Sequence, residues 1–455
     1  MQPTDKSYEY WRVRILYSTM IGYVLFYFVR KNLSMAMPLM EADLGITKAQ
    51  LGGFLTAHGL LYGISKFANG VWADRANPRY FMAAGLLVCA IANFGFGMSS
   101  AVWYMGVFWL VNAWFQGMGF PPCAKSLTHW FSPDERGVTM SIWNTSHSVG
   151  AGLVFLLNAG ILIAFHDNWR FCFFVPGALA LLGTLFLLDR LRDSPETMGL
   201  EPIEIYDAKK KGLSSETIER LQNEACEEPV SDRRVALYDW WKTLYENAFS
   251  NPAIWIVCLS NFFIYIIRGS ILDWAPTILK ETRGIEVHLG GVVASAYELT
   301  GVLGMLVSGW MMDKTFKGRG AKVCFLYMLG CAATITVFWR LQSESIFINI
   351  VLLAMIGFFI YGPQCLTGAI IANLATKKVA SGAIGLGALF AYASTAVTGY
   401  GVGKIVDGYG WDAVFRILVV SALIGAVLFL FVLNAAAPER LVAEKFETET
   451  PENNG

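Results

Sequence analysis

The stretch ILYSTMIGYVLFYFVRKN, residues 15–32, decides how the chain is read. A mostly apolar run of 15 residues, Ile15 to Val29, meets two cations, Arg30 and Lys31. If Arg30 ended a helix, the run would be about 22 Å long at 1.5 Å per residue. That falls short of the ~30 Å of hydrocarbon in a bilayer. The run crosses only if it continues past the arginine to about Pro38, which places Arg30 inside the span.

The rest of the chain supports a membrane setting. Of 455 residues, 55% are hydrophobic and 15% charged, and the mean hydropathy is +0.47; a soluble chain is about a quarter charged. Apolar runs recur near 15–38, 51–73, 80–99, 102–122, 138–162, 169–189, 252–276, 289–312, 321–339, 345–366, 379–402 and 411–434. The expected fold class is therefore an all-α membrane protein of twelve transmembrane helices. Its parts are a first six-helix half (1–189), a linker (190–250), a second half (251–436) and a tail (437–455). Basic residues concentrate in one set of loops (Arg75, Arg79, Lys125, Arg136, Lys314, Lys317, Arg319, Lys322, Lys377, Lys378) and in the linker. The positive-inside rule makes that side cytoplasmic, with both termini there.

The balance of 35 basic and 35 acidic residues leaves no nucleic-acid footprint. Eight scattered cysteines form no C-x-x-C pair and read as small apolar fillers. No metal-ligating constellation, nucleophile–base pair or phosphate-cradling glycine loop stands out, so neither enzyme nor cofactor is expected. The N-terminus lacks the pattern of a cleaved leader, and the first span is expected to serve as the insertion signal.

The halves echo one another. YFVR (27–30) matches YIIR (265–268) at an offset of 238, and GVWADR (70–75) matches GWMMDK (309–314) at 239. Trp169 and Trp411 align at 242. Three matches in order at nearly one offset indicate a duplicated six-helix unit, as in transporters built of two repeats.

Arg268 meets the same length argument as Arg30, because Ile254 to Ile267 is only 14 residues. One arginine near an interface is ordinarily a snorkelling side chain. Two at equivalent repeat positions point to a site. An arginine inside a span costs roughly 2.5–3.5 kcal/mol on insertion scales, a cost that a wet cavity and a bound anion offset. Guanidinium forks offer paired donors suited to phosphate, so phosphate or a phosphate ester fits best, with dicarboxylate or sulfate next. Tyr62 and Lys66 share a helix face, as do Trp143, Asn144 and His147; the bland reading of His147 is a hydrogen-bonded packing residue. Asp273 and Glu298, with Lys31 as first-half counterpart, are either solvated at an interface or form salt bridges between the halves. The loops bearing Asp74, Arg75, Asp313 and Lys314 tether neighbouring helices.

These loops and the twelve-span duplication resemble the major facilitator superfamily. The segments GYVLFYFVRKNLSMAMP, YGISKFANGVWADRANPRYF, WFQGMGFPPCAKSLTHWFSPDERG, IWNTSHSVG, RDSPETMGLEPIE, IYIIRGSILDWAPTIL and GFFIYGPQ resemble its organophosphate:phosphate antiporters. The resemblance implies that Arg30 and Arg268 hold the phosphate. It places Lys66, His147, Tyr27, Tyr62, Tyr265, Tyr361 and Tyr392 along the same cavity, with Lys31, Asp273 and Glu298 near it. It further implies exchange of inorganic phosphate for a glycerol or hexose phosphate. The expected setting is a bacterial inner membrane, and because one chain holds both halves of the site, it is expected to work as a monomer. Two other readings are a sugar-phosphate sensor acting on a kinase and a proton-coupled symporter. The eleventh span, IGLGALFAY (384–392), carries no charge, so sugar selection does not rest on an ion pair there.

Overall fold

The computed structural model describes residues 3–73, 76–212, 242, 245–375 and 380–433. The described chain is helical, with no strand among these residues. In the first part, α1 is Pro3–Leu44, α2 Lys48–Ala73, α3 Pro78–Met98, α4 Val102–Gln116, α5 Phe120–Trp130, α6 Pro133–Ala164, α7 Phe171–Arg190 and the short α8 Ile203–Lys210. In the second, α9 is Pro252–Arg283, α10 Val287–Trp310, α11 Gly320–Arg340, α12 Ile346–Leu374, α13 Ala380–Ala393 and α14 Val402–Leu430.

In both repeats the helix runs on past its arginine. α1 runs from Pro3 to Leu44 and α9 from Pro252 to Arg283, so Arg30 and Arg268 are interior. The helices also pass through Pro38 and Pro276, where the spans were expected to end. These prolines share the 238 offset of the arginines, and each removes a helical hydrogen bond one to two turns beyond its arginine. Asn77 and Asn251 start α3 and α9 alike, each accepting from the backbone N–H two residues on at 3.0 Å, with proline at the first helical position.

Among the described residues, nine stretches are long and apolar enough to cross a membrane. Three places account for the difference from the twelve expected. α2 is 26 residues long but is not among the nine. The expected span 102–122 breaks at Gly117–Gly119 into α4 and α5. Ala383–Leu430 counts as one stretch of 48 residues, about 72 Å if straight and over twice the hydrocarbon thickness. Gly410 divides it: its φ of 73° and ψ of 179° are not helical, a conformation open to glycine alone.

Contacts divide the described chain into two compact units. The first holds α1 to Ile46, α2 from Ala57, α3 to α8, and Glu286–Ser295 at the start of α10. The second holds Thr47–Thr56 at the start of α2, α9, α10 from Ala296, and α11 to α14. Within the first, α1 packs on α6 and α7, and α3 on α4 and α7. Within the second, α9 packs on α13 and α14, and α11 on α12 and α14. The two patterns correspond helix for helix under the duplication. A tryptophan–acid bond recurs as well: Trp169 Nε1 donates to Asp43 at 2.9 Å and Trp411 Nε1 to Glu281 at 2.8 Å. In the second unit Glu281 also pairs with Lys48 at 3.0 Å.

The stretch after α7 is partly folded. Leu191, Ile203, Ile205 and Tyr206 are buried, and Tyr206 stacks on Tyr8 at 4.1 Å. The Tyr8 hydroxyl donates to the carbonyl of Glu201. Residues 191–210 are thus part of the first unit. Six cysteines are buried and Cys365 is exposed, whereas Cys226, Asp74 and Arg75 lie outside the described residues. Asp313 and Lys314 are exposed on a π-turn, Met311–Thr315, after α10.

Candidate functional site

In the first unit α1 supplies Tyr23, Tyr27 and Arg30, successive turns of one helix face. The Arg30 guanidinium lies 4.3 Å from the Tyr27 ring centroid and 5.0 Å from that of Tyr62. It is held between a tyrosine of its own helix and one from α2, at distances where a ring face attracts a cation. One turn on along α2, the Lys66 ammonium sits 4.5 Å from the Phe120 ring of α5.

From α6, His147 Nδ1 and the Tyr27 hydroxyl are hydrogen-bonded at 3.2 Å. Tyr23 packs on His147 at 4.6 Å and on Trp143 at 4.9 Å. Trp143 meets His147 edge to face at 5.3 Å, and Phe120 closes the ring of aromatics on Trp143 at 5.5 Å. Asn144 is exposed and Trp143 buried.

The break between α4 and α5 positions this cluster. A Cβ on Gly117 would lie 2.8 Å from the backbone carbon of Ser65 and 3.0 Å from the amide of Lys66. Only glycine lets α2 approach there. Ser65 Oγ donates to the Trp114 carbonyl near the end of α4, which also accepts from the Gly117 N–H at 3.2 Å, and Ser65 Oγ accepts from Asn69 at 2.8 Å.

The second unit repeats the theme with other partners. Arg268 lies 5.7 Å from the ring of Tyr265, three residues before it as Tyr27 is before Arg30. It lies 5.0 Å from the ring of Tyr361 on α12 and donates from Nη2 to that hydroxyl at 3.2 Å. Tyr361 and, on α10, Glu298 are both buried. Tyr297 meets Tyr361 edge to face at 5.7 Å. A Cβ on Gly301 would lie 2.5–2.7 Å from the Tyr361 ring, so glycine there lets the ring lie flat against α10. Asp273 is buried on α9, and Lys31 and Tyr392 are half-buried on α1 and α13.

Chemically, each unit offers a membrane-embedded guanidinium framed by tyrosine rings. The first adds an ammonium and an imidazole. Such surroundings suit an anion with many acceptor oxygens. Sequence reasoning missed Tyr23, His58, Phe120 and Tyr297. His58 is buried one turn before Tyr62, its ring 6.3 Å from Tyr62 and 5.1 Å from Trp109. The four-residue spacings Tyr23–Tyr27 and His58–Tyr62–Lys66 were the signal for two of these.

Known proteins agree with this architecture. The model of the Major Facilitator Superfamily matches residues 19–366. A protein of Chlamydia muridarum described as a probable hexose phosphate transport protein is 40% identical, over 95% of this chain and 93% of its own. The glycerol-3-phosphate transporter of Bacillus subtilis is 35% identical over 94% and 93%. The membrane sensor protein UhpC of Salmonella typhimurium is 34% identical over 95% and 94%. In fold alone, the chain is similar to the crystal structure of a bacterial homologue of the human lysosomal transporter Spinster, inward-facing and unoccupied. The TM-score is 0.67 at 13% identity, covering 97% of this chain and 99% of that one. The chain belongs to the Major Facilitator Superfamily and, within it, to the organophosphate:phosphate antiporters.

Proposed function

We propose that this membrane transporter exchanges a hexose 6-phosphate for inorganic phosphate across a bacterial inner membrane, by alternating access. The observation that carries the reading is Arg30, interior to α1 and enclosed by the rings of Tyr27 and Tyr62, with Arg268 repeating that placement in the second unit. An embedded guanidinium calls for an anion, and phosphate matches its paired donors. The choice of hexose over glycerol as the organic group is supported by the relatives, 40% identical for a hexose phosphate carrier and 35% for a glycerol-3-phosphate carrier.

In this reading Arg30 and Arg268 are the phosphate ligands. Lys66, His147, Tyr27, Tyr62, Trp143, Asn144, Tyr265, Tyr361 and Tyr392 line the path of the substrate. Lys31 pairs with Asp273 or Glu298 in one state of the cycle and releases them in the other. An empty site leaves cations opposed in a medium of low dielectric, which resists closure; a bound dianion removes the repulsion, and obligatory exchange follows. The chain crosses twelve times with both termini cytoplasmic. α2, the α4–α5 pair and the division at Gly410 supply the three crossings beyond the nine apolar stretches. One chain carries both arginines, so a monomer suffices.

The test is counterflow with purified protein in liposomes loaded with labelled phosphate. External glucose 6-phosphate should release label faster than glycerol 3-phosphate or phosphoglycerates, and free glucose should release none. Release that tracks a pH gradient and ignores external phosphate esters would replace exchange with proton symport. Binding of glucose 6-phosphate without any release would favour a receptor.

A further inference from the structure

On the α3 and α4 side of α1, the first unit buries four amide side chains: Asn32, Asn93, Asn112 and Gln116. Asn32 Nδ2 donates to Asn93 Oδ1 at 2.8 Å and to the Cys172 carbonyl at 2.9 Å. Gln116 Nε2 donates to Asn112 Oδ1 at 3.2 Å. The remaining donors reach α1, apart from one bond kept within α3, from Asn93 Nδ2 to the Cys89 carbonyl at 2.9 Å. Asn93 Nδ2 and Asn112 Nδ2 both donate to the carbonyl of Val29, at 3.0 and 2.7 Å. Gln116 Nε2 donates to the carbonyl of Phe26 at 3.0 Å.

Those two carbonyls bracket one residue. Val29 C=O belongs to the peptide group that carries the Arg30 N–H, and Phe26 C=O is the acceptor for that N–H in a helix. Amides from two neighbouring helices therefore grip α1 at the peptide from which Arg30 projects. The plain alternative is that buried amides hold transmembrane helices together, at about 0.6 kcal/mol per bond on average. Glue of that kind has no reason to concentrate on one peptide group. The second repeat sharpens the point. Among the described residues no side-chain amide donates to Ile267 C=O, the equivalent carbonyl. Arg268 is held instead through its own carbonyl, which accepts from Tyr297 at 3.5 Å, and through its bond to Tyr361.

We infer that Asn93 and Asn112, braced by Asn32 and Gln116, are positioning residues that set the rotation of α1 and so the place of the Arg30 guanidinium. A guanidinium reaches on the order of 9 Å from its helix axis, so a 10° rotation of α1 moves it about 1.5 Å. A two-donor fork loses its alignment over such a shift. The inference rests on the reading of Arg30 as a phosphate ligand.

The test uses full-length protein in liposomes, with inorganic phosphate and glucose 6-phosphate as probes. Asn93→Leu and Asn112→Leu should each raise the half-saturating concentration about tenfold. The factor should be equal for both probes, because the phosphoryl group is what they share. The maximal rate per inserted protein should stay within about twofold. Asn158→Leu is the control: Asn158 is buried and donates only within its own helix, to the Val154 carbonyl at 2.9 Å. It should leave half-saturation unchanged. Arg30→Ala run beside them separates the two claims. Exchange by Arg30→Ala overturns the site itself. Loss in Arg30→Ala with wild-type half-saturation in both Leu variants overturns the positioning role alone. An equal rise in Asn158→Leu, or failure of both Leu variants to insert, assigns the amides to general packing and also overturns it.

Discussion

Tyr361→Phe isolates one bond of the second arginine. The substitution removes a hydroxyl and keeps the ring, so the 5.0 Å contact with Arg268 and the 5.7 Å contact with Tyr297 persist. The ring also remains against Gly301. What goes is the 3.2 Å bond from Arg268 Nη2. Hydrogen bonds to charged groups contribute about 1.5–3 kcal/mol in water-soluble proteins, whereas interhelical bonds in membranes average about 0.6 and reach about 1.7. The distance is at the long end of the hydrogen-bond range. A loss of about 1–1.5 kcal/mol follows, or a rise of about 5- to 12-fold in half-saturation. The assay is labelled phosphate self-exchange in liposomes at a series of external phosphate concentrations. A half-saturation within twofold of the parent, or a change confined to maximal rate, would refute the claim that Tyr361 holds Arg268 for substrate.

Gly301→Ala should act on the same group from behind. Its methyl would lie 2.5–2.7 Å from the Tyr361 ring and push it off Arg268, so half-saturation should rise at least as far as in Tyr361→Phe. Gly53→Ala, with nothing within 4 Å of the new methyl, should be silent in the same assay. Arg30→Lys keeps the charge but loses the fork and the planar contact with Tyr27 and Tyr62. It should cost about 2 kcal/mol of phosphate affinity, about thirtyfold in half-saturation. Glu281→Gln should lower the unfolding midpoint through loss of the 3.0 Å pair with Lys48. The pair contributes at most about 1 kcal/mol, and the difference from the parent should shrink at 1 M salt. Tyr206→Ala removes the 4.1 Å stack on Tyr8 and should expose residues 191–210 to limited proteolysis while leaving exchange intact.

The sequence was most informative where simple lengths constrained it. Fifteen residues before Arg30 and fourteen before Arg268 were too few to cross, and both helices run on past their arginines. The offset of 238 carried Tyr27 onto Tyr265 and, beyond the motif, Pro38 onto Pro276. The break of α4 at Gly117 was less legible, because its cause is the backbone of α2 pressed against it, a neighbour that no local pattern names. Trp143 and His147 follow from helical spacing. Asn144, beside the buried Trp143, is exposed. The asparagines behind Arg30 were invisible for another reason. Their partners are backbone carbonyls, which leave no mark on residue identity. The segment 191–210 read as linker because it is polar, and its few buried side chains, Ile203, Ile205 and Tyr206, are too sparse for a hydropathy signal.

The central claim is exchange through two embedded arginines. The most direct measurement is glucose 6-phosphate-driven efflux of labelled phosphate from liposomes containing the parent, Arg30→Ala or Arg268→Ala, at matched amounts of inserted protein. Rapid efflux is expected from the parent and background efflux from both variants. Substantial efflux from either variant would contradict the claim.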